Sequence, residues 1–276
     1  MFSGRLFILN RLFIIVLILF LNIFFQKKQD NTAISGEKEA RGKLIITVKE
    51  GENWLSYFPY VLFIKKSKSP QMAFWLENTK GRFVATLYVT KKTAIQDWQD
   101  MSFFKKNERV IKPVSLPIWL HKHVGAGIHS IETCSLCHDR IKSADKSIED
   151  KPIIDTFTGA TPENGFTREW TIPLGLQPGT YIVCAEINHS FDYNDTYQKD
   201  LSVNDEFYNG ISGQPSIILQ GVLAIGESET STVLKTVGHG HSAGKNGGVY
   251  GDLNGITSAV NIVRSIEVKY IPPKKY

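Results

Sequence analysis

Cysteine is scarce in this chain of 276 residues, with 3 Cys in all, which excludes a disulfide-dense scaffold. Methionine is equally scarce, at 3 including the initiator. No charge of one sign dominates. The formal net charge of +5 arises mostly at the amino terminus, where residues 1–30 hold four Lys or Arg against one acid and leave +2 for the rest. Lys and Arg are otherwise dispersed, with no basic stripe interleaved with aromatics, which argues against a nucleic-acid surface. The run Lys65-Lys66-Ser67-Lys68 fits a solvated strand end. Helix-period patterns are few, which argues against a helical bundle and against βαβ units.

Strands and turns fill the space that helices leave. Lys43 to Lys49, Tyr60 to Lys65, Met72 to Glu77, Arg82 to Thr90, Phe166 to Ile172, Thr180 to Ile187, Ser216 to Ile225, Ser231 to Val237 and Ala259 to Tyr270 are apolar or alternating runs rich in β-branched residues. In Arg82 to Thr90 the two-residue period predicts Phe83, Ala85, Leu87 and Val89 on one face and Val84, Thr86 and Tyr88 on the other. Pro178-Gly179 marks a turn, and Leu174 to Thr180 resembles the loop before a late strand in immunoglobulin-like sandwiches. The pattern predicts an all-β fold, an immunoglobulin-like antiparallel β-sandwich over residues 31–276. One short helix is expected near Thr93 to Phe103 and another around the Cys pair described next. Between Gln99 and Phe166 no good strand is visible, so a long insertion is expected at about 99–165, and connections of that length are usually functional.

The insertion carries Cys134-Ser135-Leu136-Cys137-His138, the pentapeptide to which haem is attached in c-type cytochromes. Two thiols at this spacing can add across the two vinyl groups of one haem, and the next imidazole then reaches the iron axially. A local disulfide between Cys134 and Cys137, or half of a zinc site, is the plain alternative. His138 would be the proximal ligand. All seven histidines follow residue 120, and His129, His123 or His121 could supply a distal ligand, with His129 the first candidate. Beyond the initiator the chain has Met72 and Met101 alone, both well before the pentapeptide, which favours bis-histidine or open coordination over His/Met.

Export agrees with this chemistry. Leu12 to Phe25 is almost wholly apolar, preceded by Arg5 and Arg11 and followed by Lys27 and Lys28, and no small-x-small cleavage site follows closely. Residues 1–30 therefore predict a signal peptide or an uncleaved N-terminal membrane helix, the apolar length being about 20 residues when Leu6 to Leu9 are counted. Either form places the rest in the periplasm or another extracytosolic space, where bacteria assemble thioether-linked haem and idle thiols oxidise.

A second motif follows the first. Asp155-Thr156-Phe157-Thr158-Gly159-Ala160-Thr161 resembles the acceptor sequence of proteins modified by the extracytosolic FAD:protein FMN transferase. The resemblance implies that Thr161 carries FMN through a phosphoester bond and that Asp155, Thr158, Gly159 and Ala160 form its recognition context. An ordinary turn is the competing explanation. More widely, Pro70 to Leu87, Leu116 to Trp119, Asp155 to Pro162, Gly179 to Glu186, Gly213 to Ser216 and Asp252 to Ala259 resemble a largely uncharacterised family of bacterial periplasmic proteins with a sandwich akin to that of the flagellar hook-capping protein. That resemblance implies membrane redox partners of the PepSY type and a flavin transferase nearby. The haem-type pentapeptide is an insertion relative to that family.

Two further features complete the inventory. Gly238-His239-Gly240-His241, with Gly244, Gly247 and Gly248, is a loop in which His239 and His241 could grip a transition metal, although a long hairpin connection explains the glycines equally. Cys184 alternates with apolar residues and is expected to be a buried free thiol, while the five Trp are expected in the core or at sheet edges. The expected function is an extracytosolic electron carrier with haem c and FMN, served by a haem-maturation system and by the transferase, with no bond chemistry of its own. The alternative is a cofactor-free periplasmic binding or accessory sandwich with a Cys134–Cys137 disulfide.

Overall fold

The computed structural model describes residues 42–61, 64–95, 98–99, 109–110, 113–125, 158–159, 163–202, 204–209 and 212–274. The amino-terminal apolar segment, His129, Cys134, Cys137, His138, Asp155, Ala160 and Thr161 lie outside them. Among the described residues no helix is long and apolar enough to cross a membrane.

The elements run β1 (Lys43–Glu50), β2 (Ser56–Val61), β3 (Ile64–Lys68), β4 (Gln71–Asn78), β5 (Phe83–Thr90), α1 (Lys91–Ile95), β6 (Trp98–Gln99), β7 (Arg109–Val110), a 3₁₀ turn (Pro113–Ser115), α2 (Pro117–Gly125), β8 (Thr158–Gly159), β9 (Phe166–Thr171), β10 (Gly179–Asn188), β11 (Ile217–Ile225), β12 (Thr230–Val233), β13 (Lys235–His239), a second 3₁₀ turn (Ala259–Asn261) and β14 (Val263–Ile271). Four strands form one antiparallel sheet in the order β12-β14-β1-β9, and six form another in the order β13-β11-β10-β4-β5-β8. The pairs β2-β3 and β6-β7 stand apart as small ribbons.

The two large sheets share one apolar core. Leu44, Ile46 and Val48 of β1 and Ile266 and Val268 of β14 meet Phe74 and Leu76 of β4 and Val183, Ala185 and Ile187 of β10. This is the two-layer packing of a sandwich. The sheets differ in their outer faces. In β1 buried and half-buried residues alternate before the strand ends in exposed ones, whereas six consecutive residues of β4 are buried. The six-stranded sheet is therefore covered on both sides. Its outer cover is α1, the first 3₁₀ turn and α2, which bring Ala94, Leu116, Ile118, Trp119 and Leu120 onto Ala73, Trp75, Val89, Cys184 and Ile218.

Several sequence expectations need correction in detail. The run Tyr60 to Lys65 is shared between two paired strands, β2 and β3. In β5 the plain alternation fails because two register shifts against β4 leave Val84 and Leu87 as extra residues, so that Trp75 faces Thr86 while Phe74 faces Tyr88. Leu87 and Tyr88 both enter the inner core while Val89 joins the outer one. Ser231 to Val237 is two strands: β12 pairs with β14 in the small sheet and β13 with β11 in the large one. The chain changes sheets at Leu234, whose side chain is buried between them. Of the helix expected near Thr93 to Phe103, the residues up to Ile95 belong to α1, and Trp98–Gln99 is strand. The insertion at about 99–165, expected to hold no good strand, contains among the described residues the two-residue strands β7 and β8, a 3₁₀ turn and a helix, α2.

The turn before β10 is tied by Tyr181, whose Oη donates to the Gln177 carbonyl at 2.6 Å. Loss of that single neutral hydrogen bond, in Tyr181→Phe, is expected to lower stability by about 1 kcal/mol. Urea denaturation with an unchanged m value would register it as a shift in midpoint alone.

Candidate functional site

Helix α2 lies within the insertion, and the way it is held defines the candidate site. Pro117 occupies the first helical position, where its missing N–H costs nothing. The next two amides, otherwise orphans of the first turn, donate to one buried side chain on the sheet below. Ile118 N lies 3.2 Å from Glu186 Oε1 and Trp119 N lies 2.7 Å from Oε2. Ser216 Oγ donates to Oε1 at 2.6 Å. Glu186 is 0% exposed. Burial pushes its carboxyl up to about 7, against the opposing pull of the Ser216 hydroxyl and the Trp119 and Ile118 amides. A carboxylate on β10 thus caps a helix remote in sequence, aided by the helix dipole.

Further polar ties fix the rest of α2. Trp119 Nε1 donates to Thr86 Oγ1 at 3.0 Å. Lys122 Nζ reaches Glu77 Oε1 at 3.1 Å and the Gly81 carbonyl at 2.8 Å, while Trp75 Nε1 donates to the same Glu77 oxygen at 2.8 Å. Asn188 Nδ2 donates to the Val114 and Ser115 carbonyls just before the helix. A helix of nine residues is marginal alone. Here its position follows from these bonds and from the buried apolar face.

The structure assigns definite places to the described histidines. His123 is 1% exposed, stacked on Trp119 at 5.0 Å between ring centroids and edge-on to Phe83 at 5.5 Å. His121 Nε2 sits 3.3 Å from the Gly244 carbonyl, and burial lowers its pKa. A carbonyl only accepts, so Nε2 carries the proton. Both rings take part in seating α2, and His129, the first candidate for the distal haem position, lies outside the described residues. His239 and His241 flank Tyr250, the first stacked at 5.5 Å and the second edge-on at 5.9 Å. His239 Nδ1 donates to the Gly240 carbonyl at 2.7 Å, and His241 Nδ1 accepts from Ala243 N at 3.0 Å. Burial lowers the pKa of His241, as do Lys245, His239 and His121. These two rings thus flank an aromatic side chain of their own loop. Gly240 serves that closeness, because a Cβ there would lie 2.5 Å from Ser216 Oγ and 2.8 Å from Pro117 Cγ. Among the described residues no group of three or more His, Cys, Asp or Glu could hold a metal ion.

Of the flavinylation-type motif, Thr158 and Gly159 are described. They form β8, the outermost strand of the six-stranded sheet, running parallel to Val89–Thr90 of β5. Cys184 is a buried free thiol, as expected, with burial raising its pKa. Trp75 and Trp119 are fully buried. A cavity of about 630 Å³ lies elsewhere, under the sheet crossing at Leu234, with Ile187, Ile217 and Ile262 among its walls and Glu52 and Arg264 at its rim.

Glu186, Glu77, Lys122 and Asn188 were not candidates in the sequence. The available signal was Glu186 itself, a carboxylate inside the run Tyr181 to Ile187 whose neighbours are apolar on both faces. No family model, no curated protein and no solved structure matches the chain.

The raised value of Glu186 has a testable sign. Between pH about 4.5 and 7 the folded chain holds a proton that the unfolded chain has released, so this group's contribution to stability falls as pH rises through that window. The loss amounts to roughly 3 kcal/mol. His121 and His241, with lowered values, act in the opposite sense. Urea titrations of wild type and Glu186→Gln at pH 5 and pH 8 should therefore diverge, with wild type losing about 3 kcal/mol relative to the variant on going to pH 8.

Proposed function

We propose that the chain is an extracytosolic electron-transfer protein that carries covalent c-type haem on the insertion and covalent FMN at Thr161. The observation that carries this reading is the Cys134-Ser135-Leu136-Cys137-His138 spacing. Cys134 and Cys137 would hold the porphyrin through thioethers, and His138 would ligate the iron from one side. The distal side would fall to His129, His123 or His121, or stay open. When bound, haem and flavin supply reversible redox chemistry, and the protein sets their potentials by ligation, burial and hydrogen bonding. The chain's own contribution is placement. The segment holding both motifs starts from a helix clamped to the sheet and returns at a sheet edge, which limits how far its ends can move. An edge strand also gives a modifying enzyme access to the backbone beside its target residue.

The immunoglobulin-like form of the sandwich belongs to the same proposal. The Tyr181 bond to Gln177, at the start of β10 and after a Pro-Gly turn, has the form of the tyrosine corner of such domains. The resemblance to periplasmic hook-capping-like proteins belongs to the same proposal. Anchoring of residues 1–30 in the inner membrane would hold the carrier beside a membrane redox partner, with the PepSY type the proposed one.

Protein made with its own leader in a host equipped for haem maturation should be red and should retain a haem-stained band after denaturing electrophoresis. A Cys134→Ser, Cys137→Ser double variant should lose both properties. A colourless wild-type chain, lighter by two hydrogens in intact mass, would instead identify a Cys134–Cys137 disulfide and an accessory module. In a host with the flavin transferase the wild-type band should fluoresce under ultraviolet light, and Thr161→Ala should be dark.

A further inference from the structure

A second polar centre lies beyond the end of β10, in the loop that leads to β11. His189 is 3% exposed, and its Nε2 is 2.9 Å from the Asn53 carbonyl. The carbonyl can only accept, so Nε2 carries the proton and Nδ1 presents a lone pair. That Nδ1 is buried without a hydrogen-bond partner. Two residues on, Phe191 has φ 66°, the one non-glycine residue with positive φ among those described. Such conformations gather at functional sites. They persist only where the surroundings impose them.

Asp192 follows directly. Its Oδ1 accepts from Ser258 Oγ at 2.5 Å, and Ser258 is oriented in turn by Gln214 Nε2. Its Oδ2 is buried and has no partner. Burial raises the pKa of Asp192 and lowers that of His189, while each charge offsets part of the shift of the other, so the two groups lie within electrostatic reach. Asn209, 3% exposed, has both Oδ1 and Nδ2 buried without partners. Its carbonyl accepts from Ser212 N at 3.2 Å, and the Ser212 carbonyl accepts from Asp192 N at 2.9 Å, so one loop closure carries Asn209 and Asp192. Gly213 (φ 82°) seals that closure, since a Cβ there would lie 2.3 Å from the Asp192 carbonyl oxygen.

Buried polar atoms without partners are rare in folded proteins and call for water or an ion. The pattern here favours the ion. A metal-ligating histidine typically donates its other ring N–H to a carbonyl, and a ligating carboxylate is itself hydrogen-bonded. His189 and Asp192 meet both conditions. We propose that His189 Nδ1, Asp192 Oδ2 and Asn209 Oδ1 form a binding site for a divalent transition-metal ion, with Asn53 and Ser258 orienting the ligands. One nitrogen and two oxygens suit an ion such as Mn²⁺, and the remaining positions belong to water. The site is independent of the haem and flavin motifs.

Mn²⁺ is the probe, because thiolates such as those of the Cys pair do not favour it. Titration of the full-length protein, followed by loss of the free-ion electron paramagnetic resonance signal, should show one saturable site per chain, and Tm should climb with Mn²⁺. Asp192→Asn and His189→Gln should each weaken binding at least tenfold with an unchanged circular dichroism spectrum. Ser258→Ala, a milder change, should weaken it by about tenfold, and a His239→Ala, His241→Ala double variant should bind as wild type does. Absence of saturable binding in wild type, or binding undiminished in Ser258→Ala and in whichever of Asp192→Asn and His189→Gln folds, would overturn the proposal and leave the centre to water.

Discussion

One carboxylate sets the position of everything attached to the outer face of the large sheet. Glu186 accepts from two amides of the first turn of α2 and from Ser216. Hydrogen bonds to a charged group contribute about 1.5–3 kcal/mol each. Desolvating the carboxylate costs several kcal/mol in return. These roughly cancel, so the value of the group lies in geometry more than in stability. Its removal is another matter, because three buried donors would be left without an acceptor at about 1–3 kcal/mol apiece. The same carboxylate also fixes the register of α2 against the start of β11 and the loop at Gly240. Three segments distant in sequence meet at one side chain.

The outer layer built on that anchor is unusually polar for a buried surface. Glu77, Thr86, Glu186 and Asn188 are all nearly inaccessible, yet each has a named partner in or next to α2. A purely apolar helix could slide on a sheet with little penalty. Bonds of fixed length and direction prevent that. On the proposed reading, a helix that cannot slide would fix the point from which the motif-bearing segment starts.

Much of the sandwich was legible in the sequence. Lys43 to Lys49, Met72 to Glu77 and Thr180 to Ile187 emerge as strands within one or two residues of where they were expected, because burial against a facing sheet imposes its period locally. What was not legible depends on partners. The shifts in β5 exist relative to β4 and leave no mark in the run Arg82 to Thr90. The crossing at Leu234 reflects which strand each half pairs with. Helix α2 was hidden because its buried apolar residues, Ile118 to Leu120, are consecutive and show no helical period, and because its cap comes from β10, nearly 70 positions away. The seats of His121 and His123 were not legible either, because Phe83 and Gly244, which the two rings touch, are distant in sequence. Glu186 and Asp192 carry roles that only the folded chain reveals.

The parallel pairing of β8 with β5 has a topological consequence. Two adjacent strands pointing the same way cannot be joined by a tight hairpin, so the polypeptide must travel back along the sheet before β8 begins, and α2 lies on that route. Residues 91–157 are therefore a crossover connection of the domain as well as a carrier of motifs. Trimming them to a short linker would reverse the direction in which the edge strand arrives, whereas lengthening the stretch after Gly125 would leave the topology intact. The chain can thus accept new cargo at this point more readily than it can give up the passage itself.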